Sequence, residues 1–238
     1  MAYIGVYAGS LKMVPSSIVF LAPPTVRIAF ASARVFAGSD EVDVTPRERS
    51  LLIFLALRKR RLALDAVCDA LWPDRDRGTA SNCLKVLVHR LRSKLGPSAI
   101  LSIDHGYCIG TGVENDLDSV SLDLDEHRDE RMEAGERTRL EALRSDLMNR
   151  SEGELAGYEW YLPLRYRLDD LLRSVTLRLA RNALRRGSAG AALVLARDLL
   201  IDDAEDEDAN DIASDALDAL GRTSEARRLR RRARAQTR

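Results

Sequence analysis

Cysteine is scarce in this 238-residue chain. Cys68, Cys83 and Cys108 are too few and too far apart for a disulfide framework or a CxxC zinc site, which fits a reducing compartment. Long apolar runs are missing as well. None approaches the roughly 20 residues that a membrane-spanning helix requires, so a membrane partner is not expected. Nucleotide and metal signatures are equally thin. No Walker sequence occurs, and Gly110-Thr111-Gly112 lacks the third glycine and the following helix of a phosphate-binding turn. His89, His105 and His127 do not have the spacing of a metal-ligand motif. The acidic run Asp202–Asp208 lacks the glycine and ligand pattern of a calcium loop and is better suited to capping the helix after it. These absences argue against an enzyme and predict neither cofactor nor metal. Net charge is absent too: 37 basic side chains balance 37 acidic ones.

That balance hides an asymmetry. Residues 1–112 carry 15 basic and 9 acidic side chains, and residues 113–238 carry 22 and 28. A basic half followed by an acidic half predicts two units with different partners, the first a candidate for nucleic acid. Only four of the basic residues are lysines. In an Ala-rich chain this bias also fits GC-rich coding, so it carries no functional weight.

The first 25 residues are mildly apolar. They lack a basic start and a clean cleavage site, so they read as a poorly defined leader or an extra strand rather than a secretion signal. From Val26 to Val44 short alternating stretches predict a small antiparallel meander, with a turn at Ala37–Asp40. Thr45-Pro46-Arg47-Glu48 is a strong helix start: a capping hydroxyl, proline at the first position, and a glutamate that completes a capping box. The helix ends in the basic run Arg58–Arg61. Asp65 is expected to cap a short second helix through Val67, Leu71 and Trp72, stopped by Pro73, and Asp74–Gly78 reads as a charged loop. A third helix is predicted over Thr79–Leu95, closed by Gly96-Pro97. A β-hairpin follows, Ala99–Ile103 and Tyr107–Ile109 joined by Asp104-His105-Gly106.

At 100° per residue the third helix divides into two faces. Ala80, Leu84, Leu87, Val88, Leu91 and Leu95 share one arc, the core face. Asn82, Lys85, Val86, His89 and Ser93 occupy the other, flanked by Arg90, Arg92 and Lys94. An amide, an ammonium and a valine methyl suit adenine, guanine and thymine edges in a DNA major groove. Asn82, Lys85, Val86 and His89 are therefore candidate base readers. Arg90, Arg92, Ser93 and Lys94, with Thr79 and Ser81 at the helix start, are candidate phosphate contacts. A basic polar face is more often merely solvated. What favours the groove is the order of elements: strands, helix, short helix, turn, basic amphipathic helix, hairpin. That is the order of a winged helix-turn-helix.

Beyond Gly112 an acidic segment, Asp116–Asp125, precedes almost continuous helical pattern. Apolar stripes run through Leu164–Ala183, Ala192–Leu199, Ala209–Leu220 and Ala226–Ala233. Gly187 and Gly221 lie 34 residues apart, as do Ala192 and Ala226, the period of tetratricopeptide helix pairs. Trp160 and Tyr161 are expected to anchor this helical core. The arginine-rich stretch 222–238 reads as a frayed, solvated last helix or as a surface for DNA or an acidic partner.

Several segments resemble known families. Thr45-Pro46-Arg47-Glu48 with Leu51-Leu52, Leu71-Trp72-Pro73-Asp74, Arg90-Leu91-Arg92-Ser93-Lys94-Leu95-Gly96 and Gly106-Tyr107 resemble the OmpR/PhoB-type DNA-binding domain. Residues 159–165, 192–200, 207–209 and 219–226 resemble the bacterial transcriptional activator domain. Together they resemble the layout of the SARP family of regulators. The resemblance implies double-stranded promoter DNA as a partner. It implies RNA polymerase at the loop holding Asp74, Arg75, Asp76 and Arg77, and a helical domain that supports a homodimer or activation. It places His105 at the wing tip, where Asp104 departs from the family's usual arginine and would repel phosphate.

The expectation is thus a mainly α chain with a small β part. An α+β winged helix over residues 26–112 precedes an all-α, TPR-like domain over 113–238. The whole reads as a cytoplasmic transcriptional regulator. The rival reading is a helical-repeat adaptor whose winged helix contacts protein.

Overall fold

The computed structural model describes residues 25–117 and 132–236. The leader, His127 and most of the acidic segment 116–125 lie outside them. Strands β1 (Val26–Ala29), β2 (Arg34–Ala37) and β3 (Asp40–Glu41) form the expected meander. A strand past Gly112, β7 (Val113–Asn115), joins it parallel to β1, pairing Val26 with Val113. The first sheet has the order β3-β2-β1-β7 and so continues beyond the residue at which charge divides the chain.

Helix α1 (Pro46–Arg58) starts as its sequence dictates. Thr45 Oγ1 accepts from the Glu48 amide at 3.4 Å, and Glu48 Oε2 accepts from the Thr45 amide at 2.8 Å. It ends at Lys59 in the left-handed region. The next strand, β4 (Leu62–Ala63), has only two residues, too few to show alternation. Asp65 does not cap α2 (Leu64–Leu71): it is the second residue of the helix, and Ala63 caps it with no side-chain bond. Helix α3 runs over Arg77–Leu95, two residues longer at its start than the predicted span. Asp76 is the cap, its carboxylate accepting from the Thr79 amide at 2.9 Å. The charged loop therefore shrinks to residues 73–76.

The hairpin is β5 (Ile100–Ile103) and β6 (Gly106–Ile109), in the second sheet, of order β4-β6-β5. Its loop is two residues, Asp104 and His105, both at positive φ (43° and 59°), as a type I′ turn requires. Gly106 belongs to β6, opposite Ile103.

The second half is helical: α4 (Ala134–Met148), 3₁₀ turns at Gly153–Gly157 and Glu159–Tyr161, then α5 (Leu162–Arg185), α6 (Ala189–Asp202), α7 (Glu207–Ala219) and α8 (Thr223–Gln236). The 34-residue period has a geometric counterpart. Gly187 and Gly221 share positive φ (75° and 74°), and the residue after each donates five residues back, Ser188 to Ala183 and Arg222 to Leu217. The acidic run caps α7: Asp206 accepts from the Ala209 amide at 3.0 Å and is gripped by Arg173 through both carboxylate oxygens. Asp208 pairs with Arg173 and Arg181. Arg173 and Arg181 belong to α5, so the run also ties α7 to that helix.

One hydrophobic core runs from the winged helix (Ile28, Leu51, Leu55, Leu84, Leu91) through Leu140 and Leu147 into Leu164, Leu168 and Val175. A second, Ala-rich core lies among α5 to α8. Trp160 is the joint. Its ring lies 4.9 Å from Phe54 and stacks on Tyr158 at 5.1 Å, and its Nε1 donates to Ala70 O at 3.1 Å. Arg47 of α1 reaches the Tyr158 hydroxyl and pairs with Glu154. The sequence reading put Trp160 inside the helical core. The structure puts it between the two halves.

Candidate nucleic-acid interface

Helix α3 separates its faces as the 100° wheel requires. Ala80, Leu84, Leu87, Val88, Leu91 and Leu95 are buried. Asn82, Lys85, Val86, His89 and Arg90 are exposed. Among the described residues, the side chains of Asn82, Lys85, His89 and Arg90 make no hydrogen bond or ion pair. Val86 is 49% exposed and stands among them.

The remaining candidates on α3 are differently employed. Arg92 is half-buried, and its guanidinium donates to Ile100 O at 2.9 Å and Ser102 Oγ at 2.8 Å, both on β5. Lys94 donates to Asp43 O at 2.9 Å and to Glu48 Oε2 at 2.8 Å. Glu48 is fully buried. Burial alone would raise its carboxyl, but the Lys94 bond and the Thr45 contacts outweigh that and hold it below its ordinary value. Arg92 and Lys94 thus tie α3 to β5 and to Glu48, two donors of each being used within the fold. The Ser93 hydroxyl donates back to His89 O at 3.1 Å and Ser81 is half-buried. The helix start carries a cap of its own. The Asp76 carboxylate sits on the Thr79 amide, supplying the negative charge that a phosphate at Thr79 and Ser81 would bring. Arg77 is the first residue of α3 and pairs loosely with Asp65 at 3.8 Å, while Asp74 and Arg75 remain exposed in the loop.

The wing is held by Arg61, from the basic run at the end of α1, and by the close approach of Gly106 to β4. Arg61 Nη2 donates to Asp104 O at 2.8 Å and its Nε to Ile103 O at 3.3 Å, fixing the tip on which His105 is exposed. Gly106 admits the Leu62 carbonyl so closely that a Cβ there would lie 2.2 Å from Leu62 O. The basic run at 58–61 was legible as charge, but not as a clamp.

Residues 39–109 match the family of transcriptional regulatory proteins, C-terminal domain. The match spans α1, α2, α3 and both wing strands, the part of the chain that resembles the OmpR/PhoB-type domain. The fold as a whole is similar to a solved structure of Mycobacterium tuberculosis EmbR in complex with a low-affinity phosphopeptide. The TM-score is 0.66 at 19% identity, covering 90% of this chain and 60% of that one. The chain thus spans less than two thirds of EmbR. No curated protein sequence matches. Among the described residues no helix is long and apolar enough to cross a membrane, and no cluster of three His, Cys, Asp or Glu side chains could hold a metal.

Proposed function

We propose that this protein is a sequence-specific DNA-binding transcriptional regulator. In this reading α3 enters the major groove of promoter DNA, and the β5–β6 wing rides beside it. One observation carries the reading: Asn82, Lys85, His89 and Arg90 stay exposed and unpaired on one face of α3, beside Val86. Lys85 and Asn82 read base edges, Val86 meets a thymine methyl, His89 completes the reading face, and Arg90 neutralises phosphate. The family match over 39–109 supports this assignment.

The helical unit, residues 113–238, serves dimerisation or activation. The exposed Asp74–Arg75 corner between α2 and α3 is the surface offered to RNA polymerase. Such a protein works in the cytoplasm as an activator. Selection of bound sequences from a random DNA pool with the full chain tests the reading. Enrichment of a defined site is the expected result. Recovery of no duplex at low salt turns the winged helix into a protein-contact module.

A further inference from the structure

A cavity of about 240 Å³ opens among α4, α5 and α6, away from the winged helix. Three guanidinium side chains line it, Arg137, Arg144 and Arg186, against one carboxylate, Glu141. Asn182 and Ser188 also face it. Two of these groups are left in an unusual state. Asn182 is only 6% exposed, yet its side-chain amide has no hydrogen-bond partner among the described residues. Arg137 Nε is buried without a hydrogen bond, its nearest carboxylate oxygen being Glu141 Oε1 at 3.6 Å. A buried donor left unmet costs about 1–3 kcal/mol, which applies to Arg137 Nε, whereas the Asn182 amide, also without a hydrogen bond, is not sealed from solvent.

The other groups are set for the same task. Arg144 is held in place by Thr176 Oγ1 at 3.1 Å and Asp198 at 2.6 Å. Ser188 occupies the cap position of the 14-residue helix α6, but its hydroxyl makes no capping bond, so the first amides of α6 lack a side-chain acceptor. Leu179 and Leu195 supply an apolar wall. An amide without a hydrogen bond, one guanidinium (Arg186) in excess of the pairs Arg137–Glu141 and Arg144–Asp198, and an apolar wall in one small cavity define the chemistry of what fits.

We propose that this cavity binds a small organic anion, a carboxylate or phosphate monoester carried on a short apolar tail. The anion accepts from Arg137, Arg186, Asn182 and Ser188, and the tail lies on Leu179 and Leu195. The site is independent of the DNA reading, because its occupancy is measured on the full chain without DNA.

The test uses hexanoate and hexyl phosphate as probes, with hexylammonium as the control, at constant ionic strength. Binding is followed by calorimetry and by melting temperature. At least one anion is expected to bind and to raise the melting temperature by about 5–10 °C at a hundredfold excess over its Kd. Whichever binds tighter tells carboxylate from phosphate recognition. Arg186→Gln, at an exposed position, weakens that binding at least about tenfold. Asn182→Leu abolishes it and raises the melting temperature of the unliganded chain, because an unpaired amide gives way to an apolar group. The proposal is overturned if neither anion binds, if hexylammonium binds as well, if both variants bind like the parent, or if Asn182→Leu lowers the unliganded melting temperature.

Discussion

Arg92 donates to the Ser102 hydroxyl at 2.8 Å, and this bond, with its companion to Ile100 O, clamps the end of α3 to the first wing strand. The residue that looks most like a phosphate anchor is part of the scaffold that aims the helix. Arg92→Ala is therefore expected to cost about 2 kcal/mol of stability, two charge-assisted bonds being lost from a half-buried group. Arg90→Ala leaves the melting temperature alone and reduces the salt dependence of DNA binding by about one phosphate contact. Thermal melts beside salt titrations of DNA affinity separate the two roles. A full phosphate-contact loss for Arg92→Ala with an unchanged melt would contradict this scaffold role.

The Lys94–Glu48 pair makes stability depend on acid. Glu48 is held below its ordinary value of 4.5, so its contribution is complete above that value and disappears as pH falls through the lower native one. Lys94→Met leaves a buried carboxylate without its cation and is expected to cost about 3–5 kcal/mol at pH 7. Without the ammonium, burial pushes the carboxyl above 4.5, so the gap between parent and variant starts to narrow above that pH and keeps narrowing as pH falls through the lower native value. Urea melts from pH 3 to pH 7 give the comparison, and a gap that stays constant with pH would contradict the pairing.

Trp160 joins the halves through Ala70, Phe54 and Tyr158. The continuous core predicts one cooperative unfolding transition for the whole chain. Trp160→Ala is expected to remove about 3 kcal/mol through lost packing and an unmet Ala70 carbonyl. It should also split the transition into two by scanning calorimetry. A single transition in the variant would mean that the remaining core alone couples the halves.

Gly106→Ala forces a methyl group onto the Leu62 carbonyl, which is backbone and cannot rotate away. The expected loss is at least about 2 kcal/mol, with strand β4 displaced from β6. Amide exchange at Leu62, Ala63 and Tyr107 reads that displacement. Protection equal to the parent's would show that the strand pair tolerates the methyl.

Much of this was written locally in the sequence. The Thr45–Glu48 capping box, the core face of α3, the Asp104–His105 hairpin and the paired turns at Gly187 and Gly221 all follow from residues a few positions apart. What stayed hidden depends on distant partners. A helical wheel places Arg92 and Lys94 at the edge of a basic face, but cannot show that β5 crosses one and that Glu48, 46 residues upstream, meets the other. Trp160 finds Ala70 across 90 residues. Asn182 gave no signal, since its meaning lies in hydrogen bonds it does not make. Charge marked where the two halves differ, yet β7 carries the first sheet past that point.

The central claim is that the exposed face of α3 reads DNA sequence. The most direct measurement compares the full chain with Lys85→Ala on its selected duplex and on random duplexes at one fixed salt concentration. The account predicts that the variant loses about 5- to 150-fold on the selected site, as expected for a lost base contact, and much less on random DNA. Equal losses on both duplexes would show that Lys85 touches only the backbone and would contradict the base-reading face.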